Sequence, residues 1–148
     1  MMNLQKVKDI LSRYPLPLVD EILELKEGKM AVGVKQINKE DTFATGQNPN
    51  NPIMPGVLII EAIAQVTAVA IHSEEKHRNK FALLAGINHS KIRKPVFPGD
   101  ELCMEVMVEK VKNSFAKARG KATVAGELIC EAEFLFPFNK QCQYLVTF

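Results

Sequence analysis

Apolar and polar positions follow two different periods along this chain. Leu4, Val7, Ile10 and Leu11 recur at helical spacing behind Asn3, a suitable N-cap, so a short amphipathic helix is predicted that ends before Pro15. The period then shortens. LVDEILEL (18–25) and KMAVGVKQIN (29–38) read as the two strands of a hairpin, the second alternating Met30, Val32 and Val34 with polar neighbours and Gly28 lying in the turn. NKEDTFATGQNPNNP (38–52) has no apolar period and is long for a simple connection, which predicts a functional loop. It leads into an apolar run from Val57 to Ile71 whose only polar side chains are Glu61, Gln65 and Thr67. After a charged exit, HSEEKHRNK (72–80), expected to be solvated, KFALLAGIN (80–88), ELCMEVMVEKVK (101–112), SFAKARGKATVAG (114–126) and ELICEAEFLFPF (127–138) read as strands, with turn residues at Asn113 and Gly126. Leu102, Met104, Val106 and Val108 alternate with Cys103, Glu105, Met107 and Glu109, the pattern of a sheet with one buried face. One long apolar helix against several antiparallel strands predicts an α+β layer arrangement in which a curved sheet wraps the helix. A helix apolar on nearly every side needs cover beyond one sheet, so a partner subunit is expected.

Length and composition narrow the picture. A chain of 148 residues, 47% hydrophobic and 24% charged, without repeats or low-complexity blocks, fits one globular domain spanning 1–148. A net charge of +2, with no basic cluster interleaved with aromatics, argues against nucleic acid. Charges at Lys6, Lys8 and Asp9 interrupt the stretch where a signal peptide would be apolar, and the run 57–71 is shorter than the ~20 residues a membrane span needs, so a cytoplasmic protein is expected. Cys103, Cys130 and Cys142 lack metal-ligand spacing and suit buried, reduced thiols; no metal or redox cofactor is expected.

Candidate chemistry concentrates at the start of the apolar helix. Pro55 has φ fixed near the helical value and Gly56 admits close approach of another group, so MPGV makes a helix N-terminus whose N–H groups face the preceding loop. Such donors, with the positive end of the helix dipole, suit a developing oxyanion. Glu61 lies a little over one turn further on, with Gln65 at i+4 on the same face, so loop, donors and carboxylate are expected to line one pocket. A carboxylate among aliphatic residues needs a partner or a purpose.

Four stretches resemble the (3R)-hydroxyacyl-[acyl-carrier-protein] dehydratases of fatty acid synthesis, which have the hot-dog fold. RYPLPLVDEILEL (13–25) looks like that family's opening strand, NPIMPGVLIIEAIAQ (51–65) is similar to its central-helix motif, IRKPVFPGDEL (92–102) resembles its basic turn, and ELICEAEF (127–134) its last strand. The resemblance implies a dimer, often a trimer of dimers, with two active sites across the subunit boundary. A loop histidine of one subunit and the helix carboxylate of the other act on a β-hydroxyacyl thioester, and a backbone N–H at the helix start polarises its carbonyl. Carried over, the carboxylate is Glu61 and the N–H donor Gly56. Where the family's loop reads Gly-His-Phe-Pro, this chain has Gly46, Gln47, Asn48 and Pro49, so the histidine position is Gln47. Ile53, Val57 and Gln65 are the expected substrate contacts. Lys91, Arg93 and Lys94 form a basic cluster suited to an acidic carrier protein.

Glutamine cannot titrate near neutral pH, and one positioned acid–base group is worth roughly 10²–10⁴-fold, so the substitution bears directly on activity as a homodimer. His72 and His77 fall at or beyond the helix C-terminus, more than ~15 Å from Gly56 at about 1.5 Å per residue, and His89 falls in the loop GINHSKIRKP. Four readings stay open. They are a dehydratase-type lyase with Glu61 as acid/base; a Glu-bearing half-site subunit paired with a histidine-bearing paralogue; a thioesterase of acyl carrier protein or coenzyme A using Gln47 and Glu61, fourteen positions apart; and a non-catalytic acyl-binding protein in which Gln65 or a water satisfies Glu61. Phe43, Phe97, Phe115 and Phe134 suit an acyl tunnel or plain core.

Overall fold

A computed structural model describes residues 4–41, 43, 50–78, 84–112 and 114–138. Helix α1 spans Leu4–Leu11 and buries Val7 and Ile10, as its period predicts. Strands β1 (Glu21–Lys26) and β2 (Met30–Gln36) form the expected hairpin. Gly28, at φ +72°, takes the left-handed conformation that its turn requires. The long helix α2 (Gly56–His72) starts where Pro55 predicts. Strands β3 (Gly86–Ile92), β4 (Glu101–Val111), β5 (Phe115–Val124) and β6 (Glu127–Pro137) complete the chain.

The six strands form one antiparallel sheet in the order β1-β2-β4-β5-β6-β3, and α2 lies against its inner face. Leu102, Met104 and Val106 of β4, Ala116, Ala118 and Ala122 of β5, and Cys130, Ala132, Phe134 and Phe136 of β6 are buried, while their alternating neighbours are more exposed. Two glycines let the helix sit deep. A Cβ on Gly33 would run into Val66, and one on Gly120 into Ile63 and Val106, so small residues on β2 and β5 are what allow the close approach. This is the α+β hot-dog arrangement, a helix wrapped by a curved sheet. Among the described residues, no helix is long and apolar enough to cross a membrane.

Three expectations change. The last strand before the basic turn begins at Gly86 and continues to Ile92, so His89 belongs to β3 rather than to a loop; residues 79–83 lie outside those described. Every residue of β3 after Gly86 is exposed, so it carries no inside–outside alternation to read, and a bulge with His89 at φ +51° breaks its register against β6. The exit after α2 is not solvated throughout. Glu75 and Lys76 are exposed, but His72, Ser73 and His77 are buried because a short 3₁₀ turn, Glu75–His77, folds back over the helix end.

Candidate active site

The start of α2 is held from two sides. Met54 N–H donates to the Val96 carbonyl at 2.9 Å, and the Pro55 carbonyl accepts from Leu58 N–H at 2.9 Å and Ile59 N–H at 3.3 Å. No side chain caps the helix, so the role that serine or aspartate usually fills there is left to backbone and surroundings. Ile92 lies directly over Gly56, where any Cβ would collide with its side chain. Around this contact is a shallow, open cavity of about 330 Å³, lined by Ile53, Met54, Gly56, Ile59, Ile92, Arg93, Lys94 and Pro95.

Glu61 is half-buried and does not line this cavity. Helix geometry gives the reason: five residues at 3.6 per turn leave Glu61 about 140° around the axis from Gly56. Within one chain, then, the expectation that donors and carboxylate share a pocket is not met. On its own face Glu61 is firmly held. Gln65, only 1% exposed, donates from Nε2 to Glu61 Oε1 at 3.2 Å and to the Leu16 carbonyl at 2.9 Å, while its Oε1 accepts from Leu18 N–H at 2.8 Å. The amide thus ties α2 to the segment after α1, with Tyr14 close enough to feel the carboxylate. The Tyr14 hydroxyl is pushed up to about 12, first by burial and then by the negative charge of Glu61, with Arg13 opposing.

The other expected site residues divide. Ile53 lines the cavity, whereas Val57 projects outward at 76% exposure and Gln65 is fully engaged as just described. Gln47 lies outside the described residues. Arg93 and Lys94 are at the cavity mouth, and Lys91 is exposed nearby on β3. Arg93 pairs with Glu131 at 2.6 Å and Lys94 pairs with Glu127, both on the surface, where such pairs contribute about 0–1 kcal/mol. Sequence reasoning missed Tyr14, Ile92 and the backbone groups of Leu16 and Leu18. A backbone partner leaves no residue-type signal, although the prolines at 15 and 17 do mark a rigid segment.

None of the three histidines lines the cavity at Gly56. His72 Nδ1–H donates to the His77 carbonyl at 2.8 Å. Burial lowers the affinity of His72 for a proton; the hydrogen bond to His77 opposes this, and the charges of Arg13 and His77 add to it. His77 stacks on Phe138 with ring centroids 4.8 Å apart, its Nε2 lying 4.0 Å from Glu74 Oε2. His89 lines a separate groove on the outer sheet face with Glu131 and Glu133. Cys103 and Cys130 are free thiols, the second pushed up to about 11 by burial and then by Glu131, so both are poor nucleophiles; Cys142 lies outside the described residues. Among the described residues, no cluster of three or more histidine, cysteine or acidic side chains could hold a metal.

Comparison with known proteins adds a sequence match over nearly the whole chain. A family model described as FabA-like domain matches residues 10–133. The 3-hydroxyacyl-[acyl-carrier-protein] dehydratase FabZ of Bacillus cytotoxicus is 44% identical over 142 residues, covering 95% of this chain and 99% of that protein. The FabZ of Geobacillus thermodenitrificans is 46% identical over 137 residues, covering 92% and 94%. Among solved structures, the dehydratase heterocomplex ApeI:P from Xenorhabdus doucetiae matches with TM-score 0.78 at 14% identity over 95% of both chains. Mouse thioesterase superfamily member 2 matches with TM-score 0.70 at 13% identity over 93% of this chain and 98% of that one. At these identities the structural matches speak for the fold.

Proposed function

Because the chain belongs to the FabA-like domain family, among the FabZ dehydratases, we propose that it is a dehydratase-type lyase acting on 3-hydroxyacyl thioesters of acyl carrier protein. The observation that carries this reading is Glu61, the one carboxylate on an apolar helix, held by a buried glutamine. The reaction breaks C2–H and C3–O, forms C2=C3 and releases water, so a proton leaves carbon and one reaches the departing hydroxyl. A single carboxylate can carry that proton from C2 to the hydroxyl when both lie on one face of the substrate. The N–H groups at the uncapped start of α2 face the thioester carbonyl and stabilise the enolate that forms as C2 loses its proton. Ile53, Met54 and Ile92 provide an apolar seat for the acyl chain, and Arg93 and Lys94 at the mouth meet the anionic carrier.

A second copy of the chain completes the site. Gly56 and Glu61 face different ways on one helix, and β3, the edge strand of the sheet, carries exposed Ile87 and Ile92, the second of them against Gly56. A β3–β3 dimer would bring the Glu61 of one chain to the Gly56 cavity of the other. Gln47 favours one variant of this: a histidine-bearing paralogue as the second chain, with Glu61 completing the paralogue's site.

The test is turnover of 3-hydroxyacyl and saturated acyl thioesters, on carrier protein and on coenzyme A, by the unmodified protein, Glu61→Gln and Gln47→His. Dehydration by the unmodified protein that falls about 10²-fold or more in Glu61→Gln supports the lyase. Dehydration appearing only in Gln47→His supports the half-site variant. Hydrolysis without dehydration, lost in Glu61→Gln, would replace the reading with a thioesterase.

A further inference from the structure

We infer that Gln65 gives the two oxygens of Glu61 different jobs: Oε1 is kept as a standing hydrogen-bond acceptor, and Oε2 is the oxygen that takes up and returns the proton. The inference rests on Glu61 being the proton carrier proposed above. It begins with the orientation of the Gln65 amide, which the backbone dictates. Leu18 N–H can only donate and the Leu16 carbonyl can only accept, and they lie 2.8 Å from Oε1 and 2.9 Å from Nε2 of Gln65. Turning the amide over would set oxygen against carbonyl and N–H against N–H at a side chain only 1% exposed, losing both bonds.

Orientation then decides the chemistry. Nε2 has two hydrogens; one is used by Leu16, and the other points at Glu61 Oε1, 3.2 Å away. A carboxyl oxygen facing an N–H behaves as the carbonyl-type oxygen of the neutral acid, so the acid proton resides on Oε2. Glu61 therefore enters each cycle with a predetermined base and finishes with a predetermined acid, without a search over both oxygens. Leu16 and Leu18 act through Gln65 as the fixed frame, so Gln65 is a positioning residue. Prolines at 15 and 17 stiffen that frame by restricting φ on either side of Leu16.

Gln65→Met keeps length and apolar volume but removes the amide, and Gln65→Glu keeps an acceptor for Leu18 N–H while losing a donor. In the dimeric full chain, each should lower kcat for dehydration by about 10- to 100-fold and leave KM within about twofold. Combining Gln65→Met with Glu61→Gln should give no loss beyond that of Glu61→Gln alone, because the amide acts only through the carboxylate. If the losses multiply, Gln65 supports the fold generally and the inference is overturned. If Glu61→Gln has no effect, the lyase reading itself fails instead. A readout independent of turnover is the infrared difference spectrum of the Glu61 carboxylate, taken against Glu61→Gln. The splitting between antisymmetric and symmetric stretches should narrow in Gln65→Met as the two oxygens become equivalent, and an unchanged splitting overturns the inference even if Gln65→Glu fails to fold.

Discussion

The two ends of α2 solve opposite problems. At its C-terminus the chain buries His72, Ser73 and His77 and finds partners for the helix's last carbonyls: Ser73 Oγ donates to Ala70 O at 2.8 Å, Ser73 N–H to Val69 O at 3.0 Å, and Gly28 N–H reaches across from the first hairpin to Ala70 O at 2.8 Å. At its N-terminus no side chain caps the helix, Val57 stands in solvent, and a cavity opens beside Gly56. Both ends carry unmet backbone groups by construction. One end closes them off as structure, and the other leaves them uncapped by any side chain beside a cavity, so a helix that is uniform in hydrophobicity is divided by its termini into a packed end and an open one.

That division can be broken experimentally. Gly56→Val intrudes into the cavity and displaces Ile92, so dehydration should fall by about 10²-fold while the urea midpoint barely moves, since the displaced Ile92 is a surface side chain; steady-state kinetics beside a denaturation curve reads both. Gly28→Ala is its counterpart at the anchored end. A side chain at φ +72° is strained and meets the Glu74 carboxylate, so stability should drop by about 1–2 kcal/mol with turnover per folded molecule unchanged. The smallest effect sharpens the contrast through pH. Burial makes His72 harder to protonate in the folded chain, so as pH falls through about 6.5 the unfolded chain takes up a proton more readily than the folded one, and stability declines. His72→Gln should flatten that decline between about pH 7 and pH 5 in urea titrations.

Much of this architecture is written in local pattern. Pro55 and Gly56 announce the start of α2, Gly28 the first turn, and the alternation from Leu102 to Val108 the inner face of β4, because each is a consequence of neighbouring residues alone. What depends on distant residues was not legible. β3 has no alternation, since its exposed faces gave the sequence no burial to record. The charged run after α2 hides His72 and His77, because a 3₁₀ turn, not composition, decides which of its side chains point inward. The pairing of Glu61 with Gln65 was readable as an i, i+4 relation, but their attachment to Leu16 and Leu18 was not, being made to backbone nearly fifty positions away. Nor does spacing along a helix tell which flank of the rod a carboxylate occupies relative to a cavity built partly from β3.

The bare backbone at Gly33 and Gly120 ties the depth of the rod to the thickness of the sheet beneath it. Adding even one methyl at Gly120 would lift Ile63 and, two residues earlier on the same rigid body, shift Glu61 relative to anything bound at its side. A lesion in the floor of the molecule would then be measured as a defect in chemistry.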